Sequence, residues 1–218
     1  MPQRTNRPDS VNCELIDTVR AHGGATLAGS LLAAGEAPLV ETGRALSEIG
    51  AWCHVDVMDG IFTPYRGLPV STLRELAEAG CGPIDAHLML ADPEPVLAEI
   101  LRHPPDRVTV HLESRGSPGA TARRIRDAGS SPWLAISPHT PSRASVRHLD
   151  AFDGILVMLV SPGARNATAD LDLLAKMDEL QQRVRIPVGV DGGVTESNAV
   201  ACLTAGATYL VSGRSLLG

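Results

Sequence analysis

Residues 52–89 read WCHVDVMDGIFTPYRGLPVSTLRELAEAGCGPIDAHLM. Two short apolar runs, Trp52–Val57 and Pro83–Met89, flank a helical stretch, Ser71–Ala79, with glycines and prolines at the joints. That is one strand–helix–strand step. The same step recurs in both directions. Further strands are expected at Thr26–Leu32, Arg107–Leu112, Trp133–Ile136, Gly154–Val160, Ile186–Val190 and Thr208–Val211. Helices are expected at Pro38–Ile49, Pro93–Leu101, Pro118–Ala128, Ser142–Leu149, Ala169–Gln182 and Glu196–Ala205. Eight such steps predict parallel strands. A closed (β/α)8 TIM barrel fits best, at the short end of its size range. The rival, an open doubly wound sheet, carries a Gly-x-Gly-x-x-Gly turn after its first strand; none is present.

The two ends of the chain belong together. After the last strand only Arg214–Gly218 remain, too few for a full outer helix. Before the first strand, Ser10–His22 reads as an amphipathic helix with Val11, Leu15, Ile16 and Val19 on one face. Asp9 or Ser10 is placed to cap its start, and Gly23-Gly24 to stop it. We therefore expect residues 1–24 to form an N-terminal extension and residues 25–218 the barrel, with the extra helix covering the gap left by the missing last one.

Composition narrows the function classes. The 218 residues are 44% hydrophobic and 20% charged, an ordinary globular mix, with no apolar run of membrane-helix length. The net charge is −6 and aromatics are 3%, so neither the basic face nor the stacking rings of a nucleic-acid binder is present. The first residues are polar and unlike a secretory signal. Cys13, Cys53, Cys81 and Cys202 form no C-x-x-C pair, which reads as a reduced, cytoplasmic protein with buried thiols. Lys176 is the sole lysine and falls in a helical stretch, which argues against Schiff-base and lysine-dependent decarboxylase or aldol chemistry.

In a parallel barrel, function gathers at the C-terminal ends of the strands. With a period of two, His54, Asp56 and Met58 share one face, as do Asp85, His87 and Met89. Asp191 stands at the mouth of the seventh strand, before Gly192-Gly193. Asp59, before Gly60, reads as a turn residue. A buried carboxylate is costly unless paired or metal-bound. Two histidines and two carboxylates at three strand ends make an N2O2 set suited to one divalent metal: Zn, Fe, Mn or Co.

His54-Val55-Asp56-Val57-Met58-Asp59-Gly60 and Asp85-Ala86-His87-Leu88-Met89 closely resemble motifs of the ribulose-phosphate 3-epimerase family, a metal-dependent (β/α)8 barrel. Val108–Glu113, Ser137–Pro141 and Val190–Val194 extend the resemblance across nearly the whole chain. The resemblance implies metal ligands His54, Asp56, His87 and Asp191, with Asp56 and Asp191 as the acid/base pair. It implies that Ser30 and His87 bind substrate, and that Met58, Met89 and Met158 line the pocket. The partner implied is a small sugar phosphate, not nucleic acid or membrane; many such barrels form homo-oligomers, and no interface is legible here. Inverting a carbon beside a ketone means removing a proton from one face and returning one to the other, so two carboxylates are expected.

The phosphate side departs from the family pattern. Gly192, Gly193 and Gly213 are placed to offer backbone N–H groups at the usual phosphate site. After the sixth strand, however, Ser161-Pro162-Gly163-Ala164-Arg165-Asn166-Ala167 replaces an Asn-Pro-Gly-Phe-Gly-Gly-Gln loop, retaining Gly163 but not the later glycines. Arg214 replaces a serine after the eighth strand, and Ile61-Phe62-Thr63-Pro64-Tyr65 replaces a His-Phe-Val-Pro-Asn pattern after the second. The expected activity is inversion of C3 of a ketose phosphate, ribulose 5-phosphate by default. The alternatives are the same chemistry on another ketose, or a non-catalytic sugar-phosphate binder.

Overall fold

The computed structural model describes residues 11–218. Eight parallel strands close into a barrel in chain order, with β8 paired to β1. They are β1 (Thr26–Ser30), β2 (Trp52–Met58), β3 (Ile84–Met89), β4 (Arg107–His111), β5 (Ser131–Ile136), β6 (Gly154–Met158), β7 (Val188–Asp191) and β8 (Tyr209–Ser212). The outer helices are α2 (Leu39–Glu48), α3 (Ser71–Glu78), α4 (Glu94–Ile100), α5 (Pro118–Asp127), α6 (Ser142–Val146), α7 (Ala175–Gln181) and α8 (Glu196–Thr204). They are preceded by α1 (Cys13–Ala21) and followed by a single turn, α9 (Arg214–Leu217).

Alternation along the strands builds two cores. Outward residues such as Cys53, Val55, Val57, Leu88 and Val110 pack under Leu46, Leu73, Leu76, Leu97 and Ile125 of the helices. Inward residues Ala28, Trp133, Ala135, Leu156, Met158, Tyr209 and Val211 fill the barrel, with Trp52 against them. Gly154 is required here: a Cβ at that position would lie 2.3 Å from the Trp133 ring.

Several boundaries differ from the sequence expectation. Pro132 lies inside β5, paired with Val108, where its carbonyl accepts from the Asp153 N–H. Near a strand start, proline sacrifices only a donor. The Ala169–Gln182 stretch opens with a tight turn, Leu171–Leu174, whose cap Asp170 accepts from the Asp172 N–H, and only then becomes α7. Similarly, α6 stops at Val146 and a separate tight turn spans Leu149–Ala151. The proposed caps Asp9 and Ser10 lie outside the described residues; Asn12 caps α1, its Oδ1 accepting from the Glu14 N–H at 2.9 Å.

Helix α1 packs against α8 and α9. The Asn12 N–H donates to the Leu216 carbonyl at 2.9 Å, and Arg20 reaches the Ile49 carbonyl at the end of α2 at 3.0 Å. It therefore bridges the helix after β7 and the helix after β1, the place a helix after β8 would take. Leu15, Ile16 and Val19 are buried in that seam. Leu15→Ala should cost about 2–5 kcal/mol by urea unfolding, the usual loss for a buried leucine. A change below about 0.5 kcal/mol, ordinary for a surface site, would show that α1 does not close the barrel wall.

Candidate active site and metal centre

Strand register places the polar residues in tiers. Ser30 lies beside His54, His54 beside Asp85, and Asp85 beside Arg107; one tier up, Asp56 lies beside His87 and His87 beside Thr109. Higher still, Met58 pairs with Met89, while across the barrel Met158 pairs with Asp191. In the lower tiers on β2, β3 and β4, inward positions that an apolar barrel would give to valine or isoleucine carry groups that need a partner.

His54, Asp56, His87 and Asp191 converge, each offering one ligand atom within 4.8 Å of the others. His54 Nε2 lies 3.2 Å from Asp56 Oδ1 and 3.8 Å from Asp191 Oδ2. His87 Nδ1 lies 3.2 Å from the same Asp56 oxygen and 3.5 Å from the same Asp191 oxygen. The two nitrogens are 3.2 Å apart. This donor set fits a divalent ion in chemistry and spacing, and it is buried. Ser30, expected at the substrate, donates to Asp56 Oδ2 at 2.6 Å and so fixes the rotation of that carboxylate.

The surroundings set the charge states. Burial opposes ionisation of Asp56, but the His54 and His87 imidazoles overcome it and hold its carboxyl well below the usual range. Burial likewise opposes charge on the histidines. Asp56 and Asp85 nevertheless raise His54 well above its ordinary value, and Asp191 and Asp56 raise His87.

Asp85 is the hub beneath. Its Oδ2 takes His54 Nδ1 at 3.1 Å and the Tyr209 hydroxyl at 2.9 Å; its Oδ1 takes the Thr109 hydroxyl at 2.9 Å. Burial would raise its pKa, but His54 and Arg107 bring it down to about 2. An ionised Asp85 places the proton of His54 on Nδ1 and directs Nε2 at the site. Arg107 approaches Asp85 at 3.8 Å, with its guanidinium 4.2, 3.8 and 4.2 Å from the rings of Trp52, Trp133 and Tyr209.

His87 has a longer chain behind it. Its Nε2 lies 2.9 Å from His111 Nε2, and His111 Nδ1 lies 3.1 Å from Glu113 Oε2. Glu113 Oε1 accepts from the Ser137 N–H at 2.9 Å and from the Thr140 hydroxyl. Burial opposes its charge, and these contacts bring its pKa down to about 2. Lys176 donates to the carbonyls of Ser137, Pro138 and Thr140, so the sole lysine fastens the loop after β5.

Met58, Met89 and Met158 are all buried around this centre. Gly163 follows β6 at φ +74°, where a Cβ would lie 2.6 Å from Thr63 Oγ1 and 2.8 Å from Met58 Sδ. The loop after β6 thus lies directly on the loop after β2. Asp59 is a turn residue with a further reach: Oδ1 accepts from the N–H groups of Ile61 and Phe62, and Oδ2 from that of Ala91. Gly192 and Gly193 adopt positive φ at the mouth of β7, and Gly213 lies within 4.0 Å of Ser30 by the same Cβ measure. Arg214 lines an open cleft of about 480 Å³ with Asn12, Glu196 and Ser215.

Sequence reasoning assigned no role to Asp85, Thr109, Arg107, His111, Glu113 or Tyr209. A signal was present: Arg107, Thr109, His111 and Glu113 are polar at every second position of β4 and its extension.

A model described as the ribulose-phosphate 3 epimerase family matches residues 26–217. The chloroplastic ribulose-5-phosphate-3-epimerase of Arabidopsis thaliana is 34% identical over 200 residues, 87% of this chain and 70% of its own. The ribulose-phosphate 3-epimerase of Mycobacterium tuberculosis is 33% identical over 205 residues, 90% of this chain and 87% of its own. Among solved structures, an N-acetylmannosamine-6-phosphate 2-epimerase from Clostridium perfringens superposes with a TM-score of 0.66 at 16% identity, covering 99% of this chain and 93% of its own; at that identity the likeness concerns the fold. The family match spans all eight strands and the four converging side chains, and the chain belongs to the ribulose-phosphate 3-epimerase family.

Proposed function

We propose that this chain is an isomerase that inverts C3 of ribulose 5-phosphate to give xylulose 5-phosphate, and the reverse, with Asp56 and Asp191 exchanging the proton. The observation that carries the reading is the convergence of two buried carboxylates from β2 and β7 on one centre. Abstraction from one face of C3 and return to the opposite face need two groups, since one base cannot reach both sides of a held substrate. Asp56 is ionised and clamped: Ser30 holds Oδ2, and the histidines face Oδ1. Asp191 turns Oδ2 toward the histidines, which leaves Oδ1 to take or deliver the second proton. Met58, Met89 and Met158 keep water and competing donors from the planar enediolate between the two transfers. A divalent ion (Zn, Fe, Mn or Co) held by His54, Asp56, His87 and Asp191 would supply Lewis-acid stabilisation of the charge developing on the substrate oxygens. The four free cysteines suit a reducing, cytoplasmic setting.

A second reading, the same inversion on a different ketose, is favoured by one observation. The loop after β6 carries exposed Arg165 and Asn166 where a phosphate-cradling loop would present glycine amides.

Proton NMR of ribulose 5-phosphate in deuterated water should show loss of the C3 hydrogen signal and appearance of xylulose 5-phosphate. Asp191→Asn should slow both by about 10²–10⁴-fold, the usual contribution of general acid–base catalysis. A folded, metal-loaded protein that exchanges C3 only of a six-carbon or unphosphorylated ketose would establish the second reading; no exchange on any ketose would overturn both.

Metal affinity should depend on pH in a stated direction. His54 and His87 hold protons more tightly than ordinary histidines, and those protons occupy the lone pairs a metal needs. Zn2+ affinity, measured against a competing chelator, should therefore rise with proton release between about pH 6 and pH 8. A flat profile over that window would mean that the histidines are not ligands.

A further inference from the structure

We propose that His111 and Glu113 are positioning residues that select the tautomer of His87, keeping its Nδ1 lone pair free for the metal centre. The inference rests on the metal-site reading above. It follows from counting donors and acceptors along one line of atoms. Glu113 Oε1 is already engaged by two donors, the Ser137 N–H and the Thr140 hydroxyl. Its Oε2 faces His111 Nδ1 at 3.1 Å, and a carboxylate only accepts, so the proton of His111 lies on Nδ1. The remaining ring atom, Nε2, is then an acceptor. It lies 2.9 Å from His87 Nε2, which must donate. With one proton fixed on Nε2, the other nitrogen of His87, Nδ1, is the one that faces His54, Asp56 and Asp191, and its lone pair is the one a metal would take in exchange for the proton those carboxylates otherwise hold there.

Ring geometry supports a real hydrogen bond between the two imidazoles. Their planes are 17° apart and their centroids 5.0 Å apart. The difference between that separation and the 2.9 Å nitrogen–nitrogen distance is about one ring radius on each side. The rings therefore meet edge to edge, with the N–H···N line near both planes. Phe62 covers the His111 ring, its centroid 4.7 Å away.

The two metal-facing histidines thus receive the same instruction by different routes. His54 takes it from Asp85 directly; His87 takes it from Glu113 through an intervening imidazole. Neither His111 nor Glu113 is among the four converging ligands.

The arrangement makes the conservative substitution the harsher one. In Glu113→Gln, the Ser137 and Thr140 donors hold the amide oxygen at the Oε1 position and leave its NH2 facing His111 Nδ1. His111 must then accept at Nδ1 and donate from Nε2, and the proton of His87 is driven onto Nδ1, inside the site. Glu113→Ala loses both loop hydrogen bonds but inserts no opposing donor.

The experiment compares Zn2+ affinity by chelator competition, ring nitrogen-15 spectra of histidine-labelled protein with and without Zn2+, and melting temperature for wild type, E113Q and E113A. We expect E113Q to lose about 10–100-fold in Zn2+ affinity, the range for partners of metal-bound histidines, and to change the His87 ring pattern while melting close to wild type. E113A should lose less affinity and more thermal stability. If Glu113 merely anchors the loop after β5, the ranking inverts and E113A is worse on every readout. Wild-type affinity and ring pattern in E113Q would likewise overturn the inference while leaving the metal-site reading intact. A wild-type protein that takes up no Zn2+ would overturn both.

Discussion

The carboxylate of Asp85 is the constraint around which the barrel interior is organised. It lies on β3 with no exposed surface, where an unpaired charge would cost several kcal/mol. Four residues from three other strands answer it: His54 on β2, Thr109 and Arg107 on β4, and Tyr209 on β8. Arg107 is itself a buried charge, with Nε and Nη1 lacking hydrogen-bond partners. Its compensation is aromatic. Both tryptophans of the chain and one of its two tyrosines are gathered around a single guanidinium. In a sequence this poor in aromatics, that allocation reflects the cost of holding a cation at the barrel floor.

From that floor a continuous polar path leads to the mouth. Asp85 aligns His54, His54 faces Asp56, and Ser30 fixes Asp56 from β1. A second path comes from the loop after β5: Lys176 fastens the carbonyls of Ser137, Pro138 and Thr140, that loop holds Glu113, and Glu113 meets His111 behind His87. The two paths converge on four ligand atoms within 4.8 Å of one another. A centre of this kind needs its groups held in place before substrate arrives, because reorganising buried charges during the reaction would spend the stabilisation it provides.

Much of this was legible in the sequence, and the boundary is physical. Alternating strand and helix patterns specified the barrel, because each element must hide one face and eight parallel strands close upon themselves. The period of two along β2 and β3 grouped His54 with Asp56 and Asp85 with His87. What one strand cannot disclose is its neighbour's register. That Asp85 lies beside Arg107, and that Tyr209 reaches it across 124 positions of chain, follows only once the barrel is closed. Boundaries blurred where local chemistry outweighed pattern, as with Pro132 inside β5 and Asn12 as the cap of α1.

On the proposed function, the division between strands and loops also divides chemistry from recognition. His54, Asp56, His87 and Asp191 all lie on strands; His54, His87 and Asp191 pair with a neighbour on both sides, while Asp56 pairs with His87 of β3 and its carbonyl accepts from the Leu68 N–H of the loop after β2. The segments that the resemblance marks as departing from the family motifs lie in the loops after β2, β6 and β8. The loops after β2 and β6 meet one another, Gly163 lying on Thr63, and the loop after β2 also touches the centre's surroundings, Phe62 covering His111 and the Leu68 N–H donating to the Asp56 carbonyl; the direct backing of the metal-facing histidines comes from Asp85, His111 and Glu113 on the β3 and β4 side. On the proposed function, the strand residues carry the proton transfer and the loops meet the rest of the substrate. Arg214 illustrates the second half of that arrangement: it lies at the same strand mouth as Gly213 yet lines the cleft beside Asn12 and Glu196, so its charge belongs to the seam between α1 and the end of the chain as much as to the barrel mouth.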